Sequence, residues 1–240
     1  MKRAGRSELK GRKNLTFAAY DSIKKMMLNY DIVPGQRLVF VDLAKQLGVS
    51  RTPVNNALSI LAKDGYLDFV PNQGYSVHKL TEKEAEGLYE VREILELGTI
   101  AKAIRMMDDR KLAELERRKN ELVKSVTDRV HRRFFILDME FHAGLIMMIE
   151  NDYLTERYRE TCQKIFLRFR IEDLRLERIN AIMKEHDELF EAVRIRDVEL
   201  AKELIRGHHM KAKKNLFPII FPREESEADL KRQPETALVS

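Results

Sequence analysis

Four side chains in the second half of the chain could gather a metal ion. Asp138 and His142 stand four residues apart, beside the apolar stripe Phe134, Leu137, Phe141, Leu145 and Met148. At helical spacing they stack on one face. His186 falls inside the stripe Ile179, Ile182, Met183, Leu189, Phe190 and Val193, and His208 inside Ala201, Leu204, Ile205 and Ala212. One carboxylate and three imidazoles are thus expected to face the interior of a helical bundle. A single histidine on an apolar face is usually a hydrogen-bonded core residue. Three with an aspartate ask for more, because an unpaired buried carboxylate is costly and a divalent cation compensates it. The donor set suits Zn²⁺, Ni²⁺, Mn²⁺ or Fe²⁺ and does not choose among them. His209 points about 100° further round the helix, so His208 is the preferred donor. His78 and His131 read as structural or exposed.

Such a site has two other readings. Open positions on the metal could activate water, as in a metalloenzyme. Against that, the sequence has no His-Glu-x-x-His motif, and the residues three before His142, His186 and His208 are Met139, Met183 and Ile205 rather than glutamates. A metal with a purely structural role is the third reading.

These donors need rigid helices. Breaks at Asp108-Asp109, Thr127-Asp128, Glu150-Asn151-Asp152, Leu174-Arg175 and Arg196-Asp197 divide the region into helices near 82–107, 109–125, 130–149, 152–173, 176–195 and 197–215. No proline interrupts them before Pro218, so an antiparallel all-α helical bundle is expected over 81–217, with a polar tail over 218–240. Only 10 glycines and 6 prolines in 240 residues argue against an all-β protein, and the single cysteine, Cys162, excludes a disulfide framework within one chain. No stretch approaches the roughly 18 apolar residues of a membrane span, so a soluble, cytoplasmic protein is expected.

The net charge of +5 is unevenly placed. Residues 1–80 carry 13 Lys/Arg against 6 Asp/Glu, and the remaining residues carry 31 against 33. A basic segment on a slightly acidic body suggests a nucleic-acid-binding module. Part of the excess lies in residues 1–14, a basic arm expected to be flexible. Behind it, residues 15–80 read as a winged helix-turn-helix. Phe17, Tyr20, Ile23, Met27 and Leu28 mark one helix, Val41 to Leu47 a second, and Thr52 to Lys63 a third, with Gly48 between the last two. Two β-prone runs, Tyr66–Val70 and Gly74–His78, then flank the turn at Pro71-Asn72-Gln73-Gly74. The third helix is the one expected in the major groove. Arg51 can read a guanine with its fork; Ser50 and Thr52 can meet phosphate or base, or simply cap the helix. Asn72, Gln73 and Gly74 of the wing can approach the minor groove or backbone.

The run Leu43-Ala44-Lys45-Gln46-Leu47-Gly48-Val49-Ser50-Arg51-Thr52-Pro53-Val54, with Ala57-Leu58, Leu61, Gly65-Tyr66-Leu67 and Gly74-Tyr75-Ser76-Val77, resembles the DNA-binding domain of the GntR family of bacterial transcription regulators. The family commonly has Arg-Glu where this chain has Asn55-Asn56. Asparagine can pair with adenine, so either residue could shift the operator preference. Asp138-Met139-Glu140-Phe141-His142, Glu185-His186 and His208 resemble the metal-binding residues of the FadR-type C-terminal domain, and Tyr89 to Glu96 resembles its start. The six-helix count favours the shorter VanR-like variant. The resemblance implies a homodimeric regulator, more often a repressor, on double-stranded operator DNA, with a metal and a small organic acid effector in its bundle. Arg92 is the expected contact for the effector carboxylate, with an intrahelical pair to Glu96 as the competing role. Arg168 and Arg170 are weaker candidates.

Overall fold

The computed structural model describes residues 2–126, 132–169 and 176–222, with side chains over 14–126, 133–169 and 177–222. Helix α1 (Lys2–Leu28) runs back through the segment expected as an arm; the side chains of residues 1–13 lie outside the described residues, as does the expected tail from 223. Its buried stripe is Thr16, Ala19, Ile23 and Met27. Phe17, expected inside, is 56% exposed, because it stands about 100° round the helix from Thr16 and so falls outside the buried stripe.

Strand β1 (Arg37–Leu38) leads into α2 (Phe40–Leu47) and α3 (Arg51–Lys63). The turn between the helices needs Gly48, whose φ of 66° is left-handed and whose amide bonds back to Ala44 and Lys45. Val54, Ala57, Leu58 and Leu61 of α3 are wholly buried against the stripe of α1. Truncating a side chain such as Leu58 there costs about 2–5 kcal/mol. The wing is β2 (Leu67–Val70) paired antiparallel with β3 (Gly74–Val77), and β1 adds to the other edge of β3, giving the order β1-β3-β2. A two-residue strand shows no alternation, which is why the sequence pattern missed β1.

Helix α4 (Glu82–Met106) opens on a capping box in which the Glu84 amide donates to Thr81 Oγ1 and the Thr81 amide donates to Glu84. Then follow α5 (Asp109–Lys124), α6 (Arg132–Met147), α7 (Asp152–Phe166), α8 (Leu176–Arg194) and α9 (Val198–Ile220). The domain is the expected all-α bundle. Two of its helices end elsewhere than expected. Helix α7 stops at Phe166, and Leu167 leaves it to enter the core of the winged helix. Helix α9 continues through Pro218, because Leu216 and Phe217 are buried and Phe217 packs edge-on to Tyr89 at 5.4 Å. A proline in the last turn removes one amide, a loss that this packing outweighs.

The bundle has two apolar clusters. One holds Tyr89, Phe134, Tyr158, Phe166, Ile182 and Leu216; the other holds Ile100, Phe141, Leu145, Leu189 and Ile205. Along α4, α8 and α9 the polar residues Arg92, Glu96, Glu185, His186, His208 and His209 fall between members of the two. The candidate donors therefore form a polar layer inside an apolar bundle.

Candidate metal and effector site

Helix α6 supplies Asp138 and His142, α8 supplies His186 and α9 supplies His208. One ligand atom from each lies within 4.8 Å of the other three, and all four residues are buried. His142 Nε2 is 3.0 Å from His186 Nε2, which is 3.3 Å from Asp138 Oδ1. The sequence predicted these four residues, and the fold brings them together. His209, passed over in favour of His208, is buried too but bonds Glu96 instead, at 3.1 Å.

A second layer orients the imidazoles. His142 Nδ1 meets Glu96 Oε2 at 2.9 Å, and His208 Nδ1 meets Glu185 Oε2 at 2.8 Å. A carboxylate on Nδ1 fixes the proton there and leaves the Nε2 lone pair facing the centre. Glu96 also accepts from Tyr158 at 2.8 Å, and Glu185 from Arg178 at 2.7 Å. His186 Nδ1 finds no partner among the described residues.

The charges favour ligation by His186 and His208. Burial pushes His208 down to about 3 and also lowers His186, so both stay neutral, the form that binds metal. Burial likewise lowers His142, but the charge of Glu96 outweighs it and raises that imidazole above its ordinary value. Asp138 stays ionised: burial pushes it up, but the hydrogen bond and charge of His186 and its neighbours hold it well below the usual range. Burial opposes ionisation of Glu185 as well, yet His208 and Arg178 hold it down to about 2. Three imidazole nitrogens and one carboxylate oxygen, two of the rings already aimed, fit a divalent ion of the Zn, Ni, Mn or Fe kind.

Beside the four donors lies a cavity of about 20 Å³, walled by Arg92, Arg178, Asp138, His208 and the rings of Tyr89, Phe134, Phe135 and Phe166. Arg92 is 2% exposed. Its Nη2 donates to Tyr158 at 3.3 Å and lies 3.9 Å from Asp138, while its Nε has no partner among the described residues. No hydrogen bond joins it to Glu96, whose oxygens are taken by His142, His209 and Tyr158. Arg178 Nε is likewise unpartnered.

At the other end of the molecule, Arg51, Thr52, Asn55 and Asn56 all lie on the exposed face of α3. Ser50 precedes α3 without a side-chain capping bond, so its hydroxyl is not used as a cap. In the wing turn, Asn72 and Gln73 are exposed, Gly74 is half-buried, and Asn72 has a φ of 64°.

Residues 15–77 match the gntR family of bacterial regulatory proteins, and residues 87–211 match the FCD domain. The chain is 30% identical over 190 residues to YdhC of Bacillus subtilis, an HTH-type transcriptional regulator, covering 79% of this chain and 85% of that one. This protein belongs to the GntR family. Solved structures share the fold: Escherichia coli McbR/YncC has a TM-score of 0.74 at 21% identity, covering 85% of this chain and 97% of that one. A GntR-type regulator from Rhodococcus sp. RHA1 has a TM-score of 0.72 at 21% identity, covering 84% and 97%. This GntR protein is a DNA-binding transcription regulator and not an enzyme, so the metalloenzyme reading falls.

In this GntR regulator the second layer, Glu185 apart, leaves no signal in the sequence pattern. By spacing Glu96 is only a partner for Arg92, and Tyr158 and Arg178 carry no signal, since contacts across helices leave no spacing. Arg168 does not reach the cavity; it donates to Glu84 at 2.7 Å, while Arg170 and His131 lie outside the described residues. His78 bonds Asp68 at 2.7 Å and Glu84 at 3.0 Å, a structural role.

Proposed function

We propose that this regulator is a cytoplasmic homodimeric repressor whose hold on operator DNA is set by a small carboxylate bound beside a divalent ion. The observation that carries this reading is the convergence of Asp138, His142, His186 and His208 next to a cavity lined by Arg92 and Arg178, whose Nε atoms have no partner among the described residues. The ion would sit on those four residues and offer its remaining positions to an acid. Arg92 would take the carboxylate through its unpartnered edge, and Arg178 would add a second positive charge. Two guanidiniums here face three carboxylates, Asp138, Glu96 and Glu185. A divalent ion leaves one positive charge over, which favours a monocarboxylate over a polyanion. Lys211, 3.5 Å from Glu185, is half exposed and screened by water.

On the DNA side, α3 would enter the major groove with Arg51 on a guanine, Asn55 and Asn56 on neighbouring bases, and Ser50 and Thr52 on phosphate or base. Asn72, Gln73 and Gly74 would follow the backbone or minor groove. A dimer would place two such modules on a palindrome. The acid acts only if it binds two arrangements of the protein unequally.

Native mass spectrometry of the purified protein, paired with gel shifts on DNA upstream of its own gene, tests the reading. The expected result is one divalent ion per chain, with a band shift that a monocarboxylate changes. A chain that binds no divalent ion, or no DNA, overturns it. A metal whose removal alters melting temperature but neither DNA nor acid binding would make the site structural.

A further inference from the structure

The cavity beside the donors is tight. Its free room of about 20 Å³ is little more than one water needs, so any acid must push the wall outward. One wall residue connects directly to the DNA-binding domain. Phe166 is the last residue of α7 and lines the cavity. The next residue, Leu167, is 1% exposed and belongs to the core of the winged helix, with Ile23, Leu58 and Leu61. The one after, Arg168, accepts the Leu80 amide on its carbonyl at 3.0 Å and donates to Glu84 Oε1 at 2.7 Å. Three consecutive residues thus touch the cavity, the winged-helix core and the connection into α4.

Every part of the wall is packed, and Phe166 itself lies 5.7 Å from Phe135 and 6.0 Å from Phe169, ring to ring. Arg92 is held by Tyr158 and Asp138, and Asp138 and His208 belong to the donor layer. Phe166 stands at a helix end, where displacement disturbs the fewest backbone hydrogen bonds. Close-packed interiors transmit such a displacement rather than absorb it.

We infer that Phe166-Leu167-Arg168 is the element that reports occupation of the cavity to the DNA-binding domain. The inference rests on the reading that an acid enters this cavity. Pushing Phe166 outward shifts Leu167 in the winged-helix core and loosens the Leu80 and Glu84 contacts, which changes how the module is held. Phe166 is a positioning residue in this scheme.

The test fills the cavity without any ligand. Ala212 also lines it, so Ala212→Phe in the full chain is a steric stand-in for the acid. Amide hydrogen exchange at Leu80 reads the junction. Ala212→Phe is expected to speed that exchange by about tenfold. Adding Phe166→Ala to Ala212→Phe should bring it back to within about twofold of Phe166→Ala alone, a coupling between the two sites. Unchanged Leu80 exchange in folded Ala212→Phe overturns the inference, and so does a double variant that exchanges as fast as Ala212→Phe. If circular dichroism shows Ala212→Phe unfolded, Ala212→Leu makes the same test with a smaller intrusion. The cycle uses neither metal nor acid. A chain that binds zinc and acetate but fails the cycle loses only this inference; one that passes the cycle but binds neither loses the effector reading.

Discussion

Glu96 is wholly buried and bonded by three side chains from three other helices: His142, Tyr158 and His209. A buried carboxylate survives only with such partners, and this one in turn aims the His142 imidazole. Glu185 plays the same part for His208 but lies nearer the surface, so it can be changed with less risk to folding. Glu185→Gln should weaken zinc binding by about 10–100-fold, measured by competition with a chromophoric chelator. His186→Ala, which removes a donor outright, should cost more than Glu185→Gln; an equal or smaller loss would remove His186 from the site. At the DNA end, Arg51 has an exposed side chain at the first turn of α3. Arg51→Ala should cost about 1–3 kcal/mol of operator affinity and relax the preference at one base pair, seen as a narrower gap between operator and scrambled DNA in binding titrations. A loss that is equal on both DNAs would make Arg51 a phosphate contact.

Helices place these residues, and a set of polar contacts joins the two domains. Beyond the Arg168 contacts, Lys24 of α1 donates to Gln163 of α7 at 2.6 Å. Glu84 is the carboxylate of this joint, paired with Arg168. Burial pushes it up, but hydrogen bonds from His78, Thr81 and Arg168 outweigh that and bring it from 4.5 to about 2. A carboxylate depressed by folding stabilises the native state above its unfolded value, and that stability is lost as pH falls from about 4.5 towards 2. Wild type should therefore melt above Glu84→Gln near neutral pH, and the gap should close through that acid window. The gap will be modest, since the Glu84 side chain is 39% exposed. A gap that persists unchanged below about pH 3 would mean that shape, not charge, holds the joint. The helices of the bundle and the wing hairpin were legible because apolar spacing and turn residues are local signals. So was the cluster of Asp138, His142, His186 and His208, each on or beside a stripe. Glu96, Tyr158 and Arg178 were not, because their roles arise where helices meet. Nor were the ends of α7 and α9, where Leu167 is drawn into a neighbouring core and Phe217 is held past its expected stop by packing on Tyr89.

At the scale of the whole molecule, charge is segregated: the first 80 residues hold the entire basic excess. Lys2, Arg3, Arg6, Lys10, Arg12 and Lys13 supply much of it. Each lysine or arginine that neutralises a phosphate releases a counterion and steepens the salt dependence by about 0.9 in logarithmic slope. Such contacts act on any sequence, whereas groove contacts from α3 discriminate. Deleting residues 1–13 should therefore weaken binding to operator and scrambled DNA by the same factor and flatten the salt dependence, while the ratio between the two DNAs stays unchanged. Titrations on both DNAs at several salt concentrations separate the terms. Arg51→Ala should do the reverse, narrowing the ratio with little change in slope. If removing residues 1–13 narrowed the ratio instead, those residues would be reading a groove, and specificity could not be assigned to α3 alone.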